Sequence, residues 1–222
     1  MRKFLVVLLG LVVLLIIVDR AGLFIAQREV GIRAQSAYDL PARPDVTIQG
    51  IPFLTQVASG NYKQIDISIP SVKAGGVQVD EIKAQATDVH ASLSLLLGQD
   101  SGSVTAANVT GTGMISFAQI QQKLPRGVRI SPDGTALNVA GSTPYGVIKG
   151  TARLGLSGSG ITVTPQQLSI AGVNAGALAS KFAYTIPTAG VLPLHLSVTG
   201  VQVTQGGVLL HASGHNVKIA SA

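Results

Sequence analysis

The chain has 222 residues, of which 12% are charged and 46% are hydrophobic, and its formal net charge is +6. An average soluble domain carries roughly a quarter charged residues, so this chain must bury its aliphatic surface in a large core or offer it to an apolar ligand. The cysteine count is zero, which excludes disulfides, thiolate metal sites and cysteine nucleophiles. The positive charge forms no dense Lys/Arg stripe, so the sequence argues against a nucleic-acid partner.

The N-terminus combines a basic pair with an apolar run. Arg2 and Lys3 precede residues 4–18, which carry no charge. As a helix this run rises about 22 Å, less than the roughly 30 Å of a hydrocarbon core, and this length favours a signal peptide. No small-residue cleavage site follows Val18, which favours an uncleaved anchor. We predict that residues 1–20 are a signal anchor or a signal peptide and that the remaining chain lies outside the cytoplasmic membrane, anchored to it, or secreted if the segment is cleaved.

The helix is predicted to continue through residues 21–38 and to end before Pro41 and Pro44. Its apolar positions fall at spacings of three and four and are expected to pack against a sheet: Leu23, Phe24, Ala26, Val30, Ala34 and Ala37. Two runs with strand-like alternation follow, residues 46–51 and residues 62–69. Between them Pro52 bends an apolar segment, which we expect to lie where the chain meets the core.

The rest of the chain is typical of a β-rich fold. Residues 77–97 alternate with period two, and the phase slips at Asp80-Glu81 and at Thr87-Asp88, which predicts bulges that bend a long strand. Ser116 and Gln119 form a capping-box pattern that opens a short helix, and residues 173–182 are predicted as another. Further strands are predicted at residues 103–113, 128–131, 135–140, 146–155, 161–164, 167–170, 192–203 and 208–219. The pattern predicts an α+β, β-rich fold with one long bent antiparallel sheet and a single domain over residues 21–222.

The sequence contains no recognisable hydrolase motif. A catalytic set assembled in space, for example Ser213, His215 and Asp88, remains an open alternative. His211 and His215 lie in a region predicted as strand and turn, which argues against a metal site there. We therefore predict neither metal nor cofactor and assign no catalytic residue.

Bulky side chains occur near the predicted bends and short helices. Most such residues are plain core, but wide sheets that curl can leave an apolar lumen that they would line. The candidates for lipid contact are Phe53, Leu54, Phe117, Ile120, Phe182 and Tyr184.

One segment carries a family resemblance. The order of residues 44–56, with Gly50 followed by Pro52-Phe53-Leu54, and then Gly60-x-Tyr62, resembles the signature of the LmeA-like phospholipid-binding family of actinobacterial cell-envelope proteins. Ile51 stands where we would expect phenylalanine. The N-terminal order and residues 192–207 are similar to the family as well, so the resemblance spans essentially the whole chain.

The resemblance implies a cell-envelope protein that binds phospholipid or another acylated lipid at the membrane. It also implies a fold similar to tubular lipid-binding domains, in which a long curved antiparallel sheet wraps the N-terminal helix and leaves an apolar groove. A role in lipid transport or in lipid and lipoglycan homeostasis is implied, while protein partners stay unassigned. For the family's namesake a phospholipase activity is implied, so an envelope lipid hydrolase with a Ser/His/Asp site is the alternative hypothesis.

Overall fold

The computed structural model describes residues 2–74, 77–96, 103–124, 126–143, 146–157, 160–174, 183–187, 194 and 196–221. Over these residues the fold is α+β, with mostly antiparallel strands in two sheets and a long N-terminal helix. The helices are α1 (Arg2–Ala37), α2 (Phe53–Ser59), α3 (Leu93–Leu96) and α4 (Phe117–Lys123).

The strands are named in chain order. They are β1 (Asp45–Gln49), β2 (Asn61–Ala74), β3 (Val77–His90), β4 (Ser103–Ser116), β5 (Val128–Asp133), β6 (Ala136–Thr143), β7 (Gly146–Ser157), β8 (Gly160–Ile170), β9 (Val173–Asn174), β10 (Tyr184–Pro187), β11 (Ser197–Val203) and β12 (Gly207–Ser221). The first sheet has the order β1-β2-β3-β4-β12-β11. The second sheet has the order β10-β8-β7-β6-β5, and β9 pairs with β8.

The α+β class predicted from the sequence is confirmed, but the strands divide between two sheets instead of forming one. The cause is local pairing, because β5, β6, β7 and β8 each pair with the next strand along the chain and so close a meander of their own. Neither sheet is found curled or closed over the described residues.

The chain groups into two compact units. The first consists of Met1–Pro70, Lys83–Val109 and His215–Ala222, and the second of Ser71–Ile82 and Thr110–Gly214. The second sheet lies entirely within the second unit. The single domain expected over residues 21–222 stays a prediction.

Helix α1 packs within the first unit through small residues. Ala26 and Gly31 are buried, and a side chain at Gly31 would place its Cβ only 3.0 Å from the Pro44 carbonyl oxygen. The close approach of Pro44, the residue before β1, to this helix is therefore favoured by a residue without a Cβ. Phe24 was predicted to belong to the packing stripe of this helix, but this prediction is wrong, because its side chain is exposed. The hydroxyl of Tyr38, just beyond the helix, donates to the Ile219 carbonyl oxygen at 3.1 Å.

Several local predictions can be compared with the structure directly. The backbone at Glu81 and at Asp88 has positive φ, so irregularities occur where the alternation slips. The stretch predicted to run as strand to residue 97 instead leaves β3 at His90 and forms α3. The two short strands predicted at residues 161–164 and 167–170 are the single strand β8, which carries a register shift opposite Thr151 and Ala152. Most of the helix predicted at residues 173–182 lies outside the described residues, and its first two form β9.

Candidate functional site

One face of the second sheet is apolar across β5, β6, β7 and β8. In antiparallel sheets, residues that pair directly lie on the same face. One such row across four strands consists of Val128, Gly141, Ile148 and Ile170. The next row consists of Ile130, Val139, Gly150 and Leu168. With the neighbouring rows, this surface, which we call the apolar face, comprises Val128, Ile130, Pro132, Leu137, Val139, Gly141, Ile148, Gly150, Ala152, Leu154, Val163, Pro165, Leu168 and Ile170.

The register shift in β8 keeps the apolar face continuous. Thr151 pairs with Gln167, whereas the next residue, Ala152, pairs with Pro165, so Gln166 is the extra residue of a bulge. Without that extra residue, the period-two alternation would place the side chains of the rest of β8 on the opposite faces of the sheet. The bulge therefore holds Pro165 and Val163 on the same side of the sheet as Leu168.

The opposite face of the second sheet is polar. Its rows include charged, amide and hydroxyl side chains that alternate along each strand with members of the apolar face: Arg129, Ser131, Asp133, Asn138, Lys149 and Arg153. The sheet is thus amphipathic, although its strands carry little charge in total. This division into two faces follows from the pairing register.

The apolar face is neither fully covered nor freely exposed. Leu137 and Ala152 are buried, while its other aliphatic side chains and prolines are half-buried. Strand β11 contacts β7 within the same unit. Because much aliphatic surface stays accessible, the face can gain further stabilisation from an apolar ligand.

Helix α4 lies beside the outer edge of this sheet. The hydroxyl of Ser116 caps the helix by accepting from the Gln119 N–H at 3.4 Å, as the sequence predicts. The Gln121 amide then joins the helix to β5, donating to the Val128 carbonyl oxygen and accepting from the Ile130 N–H at 3.2 Å. These bonds place Phe117 and Ile120, both half-buried and three residues apart on α4, next to the edge strand of the apolar face.

The other predicted lipid contacts lie elsewhere. Phe53 and Leu54 open α2 in the first unit, where Phe53 is buried and its ring centroid is 6.4 Å from that of Tyr62. Tyr184 lies on β10, and its backbone pairs with Val163. Phe182 lies outside the described residues. The structure therefore brings the candidates together as two pairs, Phe53 with Leu54 and Phe117 with Ile120, in separate units.

The sequence-based choice of bulky residues missed the apolar face. That choice followed aromatic and large aliphatic residues at bends, whereas the face consists of ordinary strand aliphatics with two glycines among them. The alternation of apolar and polar residues within β5 and β6 was the signal in the sequence that indicated such a face. The register that aligns the strands into rows is a long-range property, and alternation within one strand does not reveal it.

The Tyr62 side chain is a polar group in an apolar interior. Its exposed fraction is 1%, and within the described part of the chain its hydroxyl has no hydrogen-bond partner. Burial raises the pKa of Tyr62. An unpaired buried hydroxyl costs free energy of folding.

Replacing Tyr62 by Phe is therefore expected to stabilise the protein. The ring keeps its contact with Phe53 while the unpaired hydroxyl is removed, which is worth about 1 kcal/mol and so roughly 2–4 °C in Tm for a chain of this size. Thermal unfolding of the full chain in detergent micelles, followed by circular dichroism, measures the shift.

Tyr38→Phe is the matched control. It makes the same chemical change at an exposed residue whose hydroxyl does have a partner, the Ile219 carbonyl oxygen. We expect its Tm to stay the same or to fall slightly. A larger fall in Tm for Tyr62→Phe than for Tyr38→Phe would show that the Tyr62 hydroxyl has a hydrogen-bond partner.

The histidine of the hydrolase alternative, His215, has a partner outside that set. His215 Nδ1 lies 2.6 Å from Asn108 Oδ1, and His90 Nδ1 lies 3.1 Å from the Asp88 carbonyl oxygen. The partner of His215 is thus a neutral amide, whereas the base of a Ser-His-Asp triad is oriented by a carboxylate. His195 lies outside the described residues. Where the chain is described, no three His, Asp or Glu side chains gather into a metal site.

A carboxylate on the first sheet is held by amides. Asp66 accepts hydrogen bonds from the side chains of Gln64, Gln49 and Gln85 at 2.8, 3.0 and 3.2 Å. Partial burial by itself raises the pKa of Asp66, but these hydrogen bonds outweigh it and hold the pKa below its usual value. Asp66 is therefore ionised at neutral pH and is not suited to act as a general acid.

The fold and this site define an α+β protein that presents an aliphatic sheet surface. The family model for LmeA-like phospholipid-binding proteins matches residues 17–213, a span that includes α2 and the whole apolar face. The chain belongs to the LmeA-like phospholipid-binding family, and the resemblance noted from residues 44–62 is confirmed. No curated protein and no solved structure matches the chain.

Proposed function

We propose that this chain is a cell-envelope protein that binds phospholipid by holding acyl chains against the apolar face. The observation that supports this most directly is the half-buried aliphatic surface across β5, β6, β7 and β8. Each acyl CH₂ buried there contributes about 0.8 kcal/mol, so six of them supply roughly 5 kcal/mol without any polar recognition. Family membership supports phospholipid as the ligand.

Helix α1 supports a place at the membrane. It is long and apolar enough to cross a bilayer, with a mean hydropathy of 2.7 in its best window, as a signal anchor or a signal sequence would be. We propose that it is retained as an anchor, with Arg2 and Lys3 in the cytoplasm and residues 21–222 forming one domain on the extracytoplasmic side that begins in the outer leaflet. The expected role is to hold or move lipid in the envelope, in lipid or lipoglycan homeostasis.

Phe117 and Ile120 are proposed to extend the lipid contact beyond β5, because Gln121 fixes their helix to that strand. The likeness to tubular lipid-binding domains implied by the family would make the apolar face one wall of an acyl groove. Leu54 is proposed as a lipid contact in the first unit, with buried Phe53 supporting it from below. Phe182 and Tyr184 remain proposed contacts on sequence grounds.

Photo-crosslinking tests this proposal. The full chain is reconstituted into vesicles of phosphatidylcholine and phosphatidylglycerol that contain a phosphatidylglycerol with a diazirine on its acyl chain, and the labelled peptides are identified by mass spectrometry. We expect labels on β5, β6, β7 and β8 in addition to those on α1. Labels confined to residues before Asn61 would contradict acyl binding at the apolar face. An assay of the same vesicles for released fatty acid separates holding from hydrolysis.

A further inference from the structure

Residues 51–54, which we call the corner, expose apolar side chains next to the apolar helix. Ile51 is 81% exposed and Leu54 is 39% exposed, and Pro52 lies exposed between them. Such large exposed aliphatics on a tight turn are costly in water. The hydrogen bonds of the corner bear on whether it suits water or lipid.

Two backbone polar groups of the corner are bonded within the protein. Asp19 on α1 accepts a hydrogen bond from the Leu54 N–H at 2.7 Å, where the first turn of α2 has no side-chain cap of its own. Pro52 has no N–H, and its carbonyl oxygen accepts from the Thr55 hydroxyl at 2.9 Å. Internal satisfaction of the backbone is what a segment needs in order to enter lipid.

Gln56 extends this arrangement to the strands that lead in and out of the corner. Its buried side chain donates to the Gln49 carbonyl oxygen at 3.1 Å and accepts from the Lys63 N–H at 3.0 Å. It also fills the space beside Gly50, where a Cβ would come within 2.7 Å of the amide nitrogen and where φ is +110°. Gln56 therefore satisfies polar backbone groups on both sides of the corner.

The exposed apolar surface of α1 continues past its charged pair. Asp19 is buried and forms an ion pair with Arg20, and beyond them Phe24 and Ile25 are 65% and 66% exposed. Residues 4–25 rise about 33 Å as a helix, which matches a hydrocarbon core of about 30 Å, whereas residues 4–18 alone are too short. A paired and hydrogen-bonded carboxylate is the form in which an acidic residue is tolerated within a membrane.

The corner lies at the level of this continuation. A Cβ at Gly22 would be 3.9 Å from Leu54 Cδ2 and 3.9 Å from the Phe53 ring. Gly22 precedes Ile25 by three residues, or about 5 Å of helix rise. If α1 spans the bilayer with residues 4–25, the corner must therefore lie at or just inside the outer boundary of the hydrocarbon.

We propose that the corner inserts into the outer leaflet of the cytoplasmic membrane, so that its partner is a phospholipid bilayer. Ile51, Pro52 and Leu54 form a second membrane contact, and Asp19 joins this contact to the anchor. Arg20, half-exposed at the same level, extends toward the lipid phosphates. The proposal requires α1 to be retained, and it does not depend on acyl binding at the apolar face.

The test uses single labelled cysteines, because the chain has none of its own. Full-length Ile51→Cys carrying an environment-sensitive NBD fluorophore is reconstituted into phosphatidylcholine–phosphatidylglycerol vesicles, and intact mass verifies that residues 1–20 are present. We expect a blue-shifted emission and at least threefold stronger quenching by shallow doxyl-labelled lipid than by aqueous iodide.

Ser36→Cys is the matched control, since Ser36 is exposed on the same helix, about 21 Å beyond Gly22. Its label should be quenched by iodide and not by doxyl lipid, whereas a label at Phe24→Cys should respond as that at Ile51 does.

Equal iodide quenching at Ile51 and Ser36 would overturn the proposal. So would lipid quenching at Phe24 without lipid quenching at Ile51, because the helix would then span the bilayer without the corner. Lipid quenching at Ile51 together with an unlabelled second sheet in the crosslinking experiment would support the corner and reject the apolar face.

Discussion

Replacing Ile148 by Gln is expected to reduce acyl-chain crosslinking to the second sheet about tenfold. Ile148 lies in the row between Gly141 and Ile170 and is half-buried, so acyl chains on the apolar face would cover it. Its replacement removes about 1.5–3 kcal/mol of apolar contact and puts an amide where a lipid offers it no hydrogen bond. The measurement is the yield of labelled peptides from β5, β6, β7 and β8 in vesicles with the diazirine lipid.

Val147→Gln is the control for this change. Val147 is the preceding residue, is also β-branched, and is 50% exposed on the polar face opposite Ser142. Its replacement should leave the crosslinking yield within about twofold, because a polar residue belongs on that face. Equal losses for the two variants, with unchanged circular dichroism, would show that the apolar face is not where acyl chains bind.

Replacing Asp19 by Ala is expected to lower the Tm of the full chain by on the order of 5 °C. The change leaves the Leu54 N–H without its acceptor and Arg20 without its ionic partner. Hydrogen bonds to a charged group are among the stronger ones in proteins, and here the bond joins α1 to α2. Thermal unfolding in micelles measures the change.

Asp19→Asn removes the charge but keeps an oxygen that can accept a hydrogen bond from the Leu54 N–H. Its Tm should therefore fall clearly less than that of Asp19→Ala. The labelled Ile51→Cys protein extends the comparison, because adding Asp19→Ala should weaken quenching of that label by lipid. An unchanged Tm for Asp19→Ala would mean that the corner is held by packing on Gly22 alone.

Local features of the fold could be predicted from the sequence because their causes are local. The Ser116 cap, the adjacent strands β5 and β6 and the irregularities at Glu81 and Asp88 each depend on a few neighbouring residues. Helix α2 was not predicted, because its cap comes from Asp19, 35 residues before Leu54. The same segment nevertheless carried the family signature, so the family was easier to predict than the local structure.

The candidate site was harder to predict than the fold. Phe53 was predicted as a lipid contact because it is bulky and lies at a bend, but its side chain is buried against Tyr62. The apolar face depends on a bulge at Gln166 and on the register of four strands, and both are set by pairing between distant segments. Alternation within one strand predicts which of its residues lie on the same face. Only the pairing between strands determines which strands contribute to one continuous surface.

The Gln121 side chain also determines how the second sheet ends. An outer strand normally offers a row of unpaired N–H and C=O groups, which another chain can extend by strand addition. On β5 the amide of Gln121 takes up the Val128 carbonyl and the Ile130 N–H, two groups that such an addition would need. A sheet with so much aliphatic surface would be a template for aggregation if its border were open. The short helix α4 therefore hinders the addition of another strand at β5.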